Sequence, residues 1–231
     1  MTAFLTSGAL AVRGSRLNPI TKIVALIVLS VPVLITGNAV MSGVLIAGEV
    51  LALPVLGLGP RVLARYAWPF IVGLAGVWLV NYLASHDVSV LLPITARLVS
   101  LALPGLVLVL TTEPVELADA LVQLWHVPAR FAYGALAAFR LVPLLGADWV
   151  SLRRARRARG VRANPLPMVF SLLVAAIRRS VRLAAAMDAR GFDSSVARTF
   201  ARPSRLRPID WLAMSASGLL VLGSVAVLAA T

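Results

Sequence analysis

Two short runs hold the residue types best able to do chemistry: Ser151-Leu152-Arg153-Arg154-Ala155-Arg156-Arg157-Ala158-Arg159-Gly160, and Ala186-Met187-Asp188-Ala189-Arg190-Gly191-Phe192. Each ends a helix-like run in Ala-Arg-Gly, as Ala158-Arg159-Gly160 and Ala189-Arg190-Gly191, with the arginines 31 positions apart (190 − 159). Glycine just past a helix end is the usual left-handed cap, and a cation in the last turn suits the helix dipole. The chemistry on offer is recognition. A guanidinium on a rigid helix end can donate bidentate, charge-assisted hydrogen bonds to a carboxylate in a receiving groove. Either motif alone also fits an ordinary capped helix. The repeat inside one basic block is what points further.

Bond-making chemistry finds little support. A P-loop needs lysine after a glycine-rich run, and Lys22, preceded by Ile20-Thr21, is the only lysine. The chain is therefore not expected to be a Walker-type ATPase. It has no GxSxG, no HExxH and no cysteine, which leaves no disulfide framework and no thiolate metal site. His86 and His126 stand alone, and the nine acids are scattered apart from a capping cluster at 113–119. No enzyme activity, metal or cofactor is expected.

The elements that must position the two tips belong to a membrane protein. Of 231 residues 60% are hydrophobic and 13% charged, with mean hydropathy +0.92, against about 45–50% and about 25% in soluble domains. The formal net charge is +13. Fourteen of the 22 basic residues fall between Arg153 and Arg207, in one segment between apolar spans. That is the positive-inside mark of a large cytoplasmic loop. A nucleic-acid binder would interleave stacking aromatics with its arginines, and Phe170 and Phe192 are among the few aromatics near the block.

Taken in order, Met1–Val12 is too short and wrongly charged for a signal peptide, while Arg13, Arg16 and Lys22 favour a cytoplasmic N-terminus. Spans are expected at about 20–36, 40–58, 67–84, 88–110 and 209–230, with a Gly37-Asn38 turn and an external loop at Ser85-His86-Asp87. This makes an all-α membrane protein of about five spans, with its C-terminus outside. Residues 1–110 would form a four-span membrane domain, 111–208 a cytoplasmic domain and 209–231 a last span. Prolines 32, 54, 69, 93 and 104 are expected to kink or break spans. Glu49 and Arg97 fall inside spans, where charge is costly and often functional. They could pair, snorkel or mark a path, and a structural or partner-contact role is favoured.

In the cytoplasmic segment, Thr112-Glu113-Pro114 starts a helix, whose stripe includes Leu117, Leu121, Leu124 and Trp125. A second helix spans about 129–159, Asn164-Pro165-Leu166-Pro167 is a turn, and a third helix spans about 168–190. Both long helices are apolar first and arginine-rich later. Helices lying on anionic lipid would account for the charge but not for the repeated tip. A stand-alone secondary transporter would show a repeat of spans, and none is visible.

The chain resembles the transmembrane (T) component of energy-coupling factor transporters, ATP-binding-cassette importers for vitamins and transition-metal ions. Leu17-Asn18-Pro19-Ile20-Thr21-Lys22 resembles the family's Leu-Asp-Pro-x-Thr-Lys, with Asn18 where aspartate is usual. Thr111-Thr112-Glu113-Pro114 with Leu117 resembles its Thr-Thr-x-Pro-x-x-Leu, and Arg140-Leu141-Val142-Pro143 its Arg-Phe-Ile-Pro. The two Ala-Arg-Gly motifs match its signatures, so the resemblance runs across nearly the whole chain. It implies that Arg159 docks on one of two ATPase subunits and Arg190 on the other. It also implies a small membrane substrate-binding (S) component, which would hold any metal cargo. Leu121, Trp125, Leu141 and Leu172 are expected to form an apolar platform for that component. The protein would sit multi-pass in the cell membrane.

Overall fold

The computed structural model describes residues 17–85, 91–161, 164–192 and 199–230. Among these there are eight α-helices and no strand: α1 Pro19–Thr36, α2 Ala39–Leu56, α3 Pro60–Ser85, α4 Leu91–Thr111, α5 Pro114–Leu124, α6 Ala129–Ala158, α7 Pro165–Ala189 and α8 Pro208–Ala230. Arg13, Arg16, His86 and Asp87 lie outside the described residues. The chain forms two compact units, one running to Ala120 and resuming at Ser204, the other covering residues 121–203.

In the first unit α1, α2, α4 and α8 pack together. Their shared core holds Leu29 and Val33 of α1 and Met41 and Leu45 of α2, with Leu101, Leu220, Val221 and Leu228 against them. Small buried polar residues allow close packing. Ser42, Ser100 and Ser224 return their hydroxyls to their own helices, at Asn38 O, Arg97 O and Val221 O. This satisfies the hydroxyl without water, as a lipid-embedded helix requires. The α1–α2 hairpin turns on Gly37, left-handed at φ 62°, and on Asn38, whose side chain accepts from Val40 N–H at 2.8 Å. On α3 Trp68, Ile71, Val72, Leu79, Val80 and Leu83 are all exposed, the surface that suits lipid.

Among the described residues six helices are long and apolar enough to cross a membrane, one more than the five spans read from the sequence. The extra one is α6, whose apolar first half runs unbroken through Pro143 into the arginine-rich end. Of the prolines expected to kink or break spans, none of those inside a span breaks its helix. Pro32, Pro54, Pro69 and Pro104 lie within continuous helices, and Pro93 sits in the first turn of α4. The expected turn at 164–167 is instead the start of α7. Asn164 is the N-cap, and Pro165 and Pro167 occupy the first turn, where an N–H has no partner to lose.

The two intramembrane charges do not pair with each other. Arg97 donates from Nη2 to Leu34 O at 3.1 Å. It thereby neutralises the open C-terminal end of α1. Glu49 is 8% exposed, and neither of its carboxylate oxygens has a hydrogen-bond partner among the described residues.

Two stretches far apart in the chain meet at one end of this unit. The Lys22 ammonium donates to Thr111 O at 2.7 Å and to Thr112 Oγ1 at 3.2 Å, so the hydroxyl expected to cap α5 is engaged by lysine. The Asn18 side chain caps α1 by accepting from Ile20 N–H and donates from Nδ2 to Ser204 Oγ. The Asn18 N–H donates to Asp210 Oδ1 at 2.8 Å, while Asp210 Oδ2 accepts from Arg207 N–H at 2.7 Å. One buried carboxylate at the start of α8 thus holds the start of α1.

Candidate functional site

The two tips have the same backbone geometry. At the end of α6, Arg159 is the C-cap (φ −90°, ψ 8°) and Gly160 is left-handed at φ 68°. At the end of α7, Arg190 is the C-cap (φ −90°, ψ 6°) and Gly191 is left-handed at φ 75°. In each case two N–H groups fold back on the last turn. Gly160 N–H donates to Arg157 O and Val161 N–H to Arg156 O, while Gly191 N–H donates to Asp188 O and Phe192 N–H to Met187 O. This is the Schellman closure, which satisfies orphan carbonyls and fixes the direction in which the cap residue leaves the helix. Both guanidinium groups belong to exposed residues, and neither has a partner among the described residues.

α6 and α7 pack on each other within the second unit. Arg179 of α7 reaches Asp148 of α6, with Nη1 2.6 Å from Oδ2 and Nη2 3.2 Å from Oδ1. Nearer the start of α6, Tyr133 meets Phe192 edge to face, with centroids 6.3 Å apart and planes at 75°. Rising residue numbers on α6 therefore meet falling numbers on α7, so the pair is antiparallel. The α7 tip lies beside the beginning of α6, and the α6 tip stands at the opposite end. From Tyr133 to the end of α6 is roughly 40 Å at ~1.5 Å per residue. The arrangement presents two like cationic tips far apart, on one braced pair of helices.

The four apolar positions expected to form a platform are placed as follows. Leu121 is on α5, Trp125 just after it, Leu141 on α6 and Leu172 on α7; Trp125 is exposed and the other three are half-buried. More conspicuous is a second apolar stripe. Leu166, Phe170, Leu173, Ile177 and Val181 on α7 are each more than half exposed. Their spacing of four, three, four and four is one helical face. That spacing is visible in the sequence, but the surrounding apolar residues hide which face is free. His126 forms the turn after α5 with a left-handed φ of 54°, a conformational role. Among the described residues no cluster of three His, Cys, Asp or Glu could hold a metal.

Residues 14–199 match the CbiQ family, described as cobalt transport protein. The chain belongs to the CbiQ family. It is 31% identical to the energy-coupling factor transporter transmembrane protein EcfT of Limosilactobacillus fermentum, over 65% of this chain and 61% of that protein. EcfT of Leuconostoc gelidum is 33% identical over 53% of this chain and 52% of that protein, and EcfT of Bacillus subtilis 31% identical over 59% and 55%. The chain thus spans about half to three fifths of the length of these curated relatives. The matched CbiQ region takes in both helix tips and the Lys22–Thr111 junction. Its six long apolar helices make this family member a multi-pass membrane protein.

Proposed function

We propose that this chain is the transmembrane coupling subunit of an energy-coupling factor type importer. In this reading Arg159 docks on one ATP-binding-cassette ATPase subunit and Arg190 on a second. The partners hydrolyse ATP, and this chain is non-catalytic and carries no cofactor. A small substrate-binding membrane subunit rests on the exposed α7 stripe and on Leu121, Trp125, Leu141 and Leu172. The cargo is a vitamin or a transition-metal ion. The observation that carries the reading is the repeated tip: the same closure and C-cap, with an arginine unpartnered among the described residues, at opposite ends of one braced helix pair. A lipid-surface helix would need arginines along its flank but no such duplicate ends.

Sidedness follows from charge. Were α6 to cross the bilayer after a cytoplasmic α5, Arg153 to Arg159 would be carried outside, against the positive-inside tendency. We therefore assign α6 and α7 to the cytoplasm, with five spans and a cytoplasmic N-terminus. The membrane domain is then 1–110, the coupling domain 111–208 and the last span 209–231.

The chain contains no cysteine, so single cysteines report cleanly. Ala155→Cys and Ala186→Cys each lie one turn before a tip arginine, at exposed positions. Crosslinking in inverted native membrane vesicles is expected to join each of them to an ATP-binding-cassette ATPase. Crosslinks to no ATPase from either position would overturn the reading.

A further inference from the structure

Within the first unit a cavity of about 400 Å³ lies among α1, α2, α4 and α8, with walls that are almost wholly apolar. It falls within the ~300–1,000 Å³ usual for small-molecule sites and is far too small for a two-chained phospholipid. Ala25, Leu29, Leu53, Leu103 and Leu220 contribute to the walls. Five polar side chains also line it: Thr21, Lys22, Glu49, Thr111 and Ser217. The hydroxyls of Thr111 and Ser217 donate back to their own helices, at Val107 O and Met214 O. Lys22 spends its ammonium on Thr111 O and Thr112 Oγ1. Glu49 is 8% exposed and Thr21 fully buried, yet both Glu49 carboxylate oxygens and Thr21 Oγ1 lack a hydrogen-bond partner among the described residues.

A buried acid with no donor in an apolar site is among the costliest groups a membrane protein can keep. A ligand that supplies donors or positive charge relieves that cost. We propose that this cavity binds a small single-chain amphiphilic amine, its ammonium donating to Glu49 and its hydrocarbon body filling the apolar walls. Charge sets the choice. An anionic ligand would meet an unpartnered carboxylate, and a neutral alcohol could give only one weaker hydrogen bond. A bare metal ion would find one carboxylate and the hydroxyls of Thr21, Thr111 and Ser217, short of the six or more oxygens a hard cation takes. The proposal does not depend on the coupling reading, since it concerns a cavity remote in sequence from both tips.

The full chain in phosphatidylcholine nanodiscs, titrated with octylamine, octanol and octanoate against protein-free nanodiscs, tests it. Octylamine is expected to bind at least about tenfold more tightly than octanol, the gain of one charge-assisted bond, with octanoate weakest. Glu49→Gln should shrink that preference to about twofold or less. Ala25→Phe, which keeps the acid but fills the cavity, should abolish binding of both amine and alcohol. Equal affinities for the three probes in the wild-type chain would overturn the proposal, with no variant needed. So would an undiminished amine preference in Glu49→Gln, or amine binding that survives Ala25→Phe.

Discussion

Arg179 of α7 clasps Asp148 of α6 through two contacts, at 2.6 and 3.2 Å, and this pair sits between the two arginine tips along α6 and α7. Nη2 donates to Oδ1 while Nη1 lies against Oδ2 as a charge contact without hydrogen-bond geometry, so one charge-assisted hydrogen bond and one ion contact tie the two helices. In the proposed coupling role, the clasp would bear on how motion at one tip is transmitted to the other.

Both side chains are about a third exposed (34% and 31%), so the pair is screened and contributes modestly, about 0.5–1 kcal/mol. Arg179→Ala or Asp148→Asn should barely lower thermal stability yet uncouple transport from ATP hydrolysis, because the tips remain intact while the brace is loose. The exchanged pair Arg179→Asp with Asp148→Arg should recover part of the coupling. Transport and ATPase rates in proteoliposomes of the full complex decide it, and unchanged coupling in both single variants would count against a brace.

Gly160 and Gly191 both adopt left-handed φ, 68° and 75°. A Cβ there costs about 1–2 kcal/mol, whereas asparagine tolerates the conformation better. Gly160→Ala and Gly191→Ala should each weaken ATPase association although the neighbouring arginine is untouched, and the Asn variants should weaken it less. Association of both Ala variants equal to that of the wild type would show that the closure does not matter.

Asn18 stands where the family usually has aspartate, and the contacts around it give a reason. Its Nδ2 donates to Ser204 Oγ, and its backbone N–H is held by the buried Asp210 carboxylate. Aspartate at this position would lose the amide donor and set a second carboxylate beside the first. Asn18→Asp is expected to destabilise the chain by about 1–3 kcal/mol, and Asp210→Asn in the same chain should restore part of that. Thermal unfolding in detergent of the two singles and the double measures the coupling. Strict additivity would remove the explanation.

Lys22 ties the start of α1 to the end of α4 through Thr111 O and Thr112 Oγ1. Lys22→Met keeps the stem but removes the donor, and should cost about 1–3 kcal/mol through the unsatisfied buried carbonyl. Loss of stability in Lys22→Met with retention in Thr112→Val would single out the Thr111 carbonyl as the essential acceptor. A fully stable Lys22→Met would contradict this role.

Much of this was legible from residue types. Hydropathy located the helices α1, α2, α4 and α8 within a few positions, and Ala-Arg-Gly announced both caps, because a helix end is a local event. Partners across the fold were not legible. Nothing in the local sequence says that Arg97 would serve the end of α1, that Asp210 would hold Asn18, or that Glu49 would find no hydrogen-bond partner among the described residues. Those depend on which helices become neighbours. The expectation that prolines would break spans failed for a related reason. A proline removes one hydrogen bond, and packed neighbouring helices can keep the rest in line. The α6 count shows a third limit, since length and apolarity qualify a helix to span without saying that it does.

The most direct test of the coupling claim is a detergent pull-down of the tagged chain from its native membrane, comparing wild type with Arg159→Ala/Arg190→Ala. Burying a guanidinium against a carboxylate and then truncating it typically costs ~2–5 kcal/mol per tip. The wild-type chain should therefore bring two ATP-binding-cassette ATPase subunits and one small hydrophobic subunit, and the double variant should lose the ATPases while still inserting. Undiminished ATPase recovery with the double variant, or none with the wild type, would contradict the account and leave the two tips as plain helix caps.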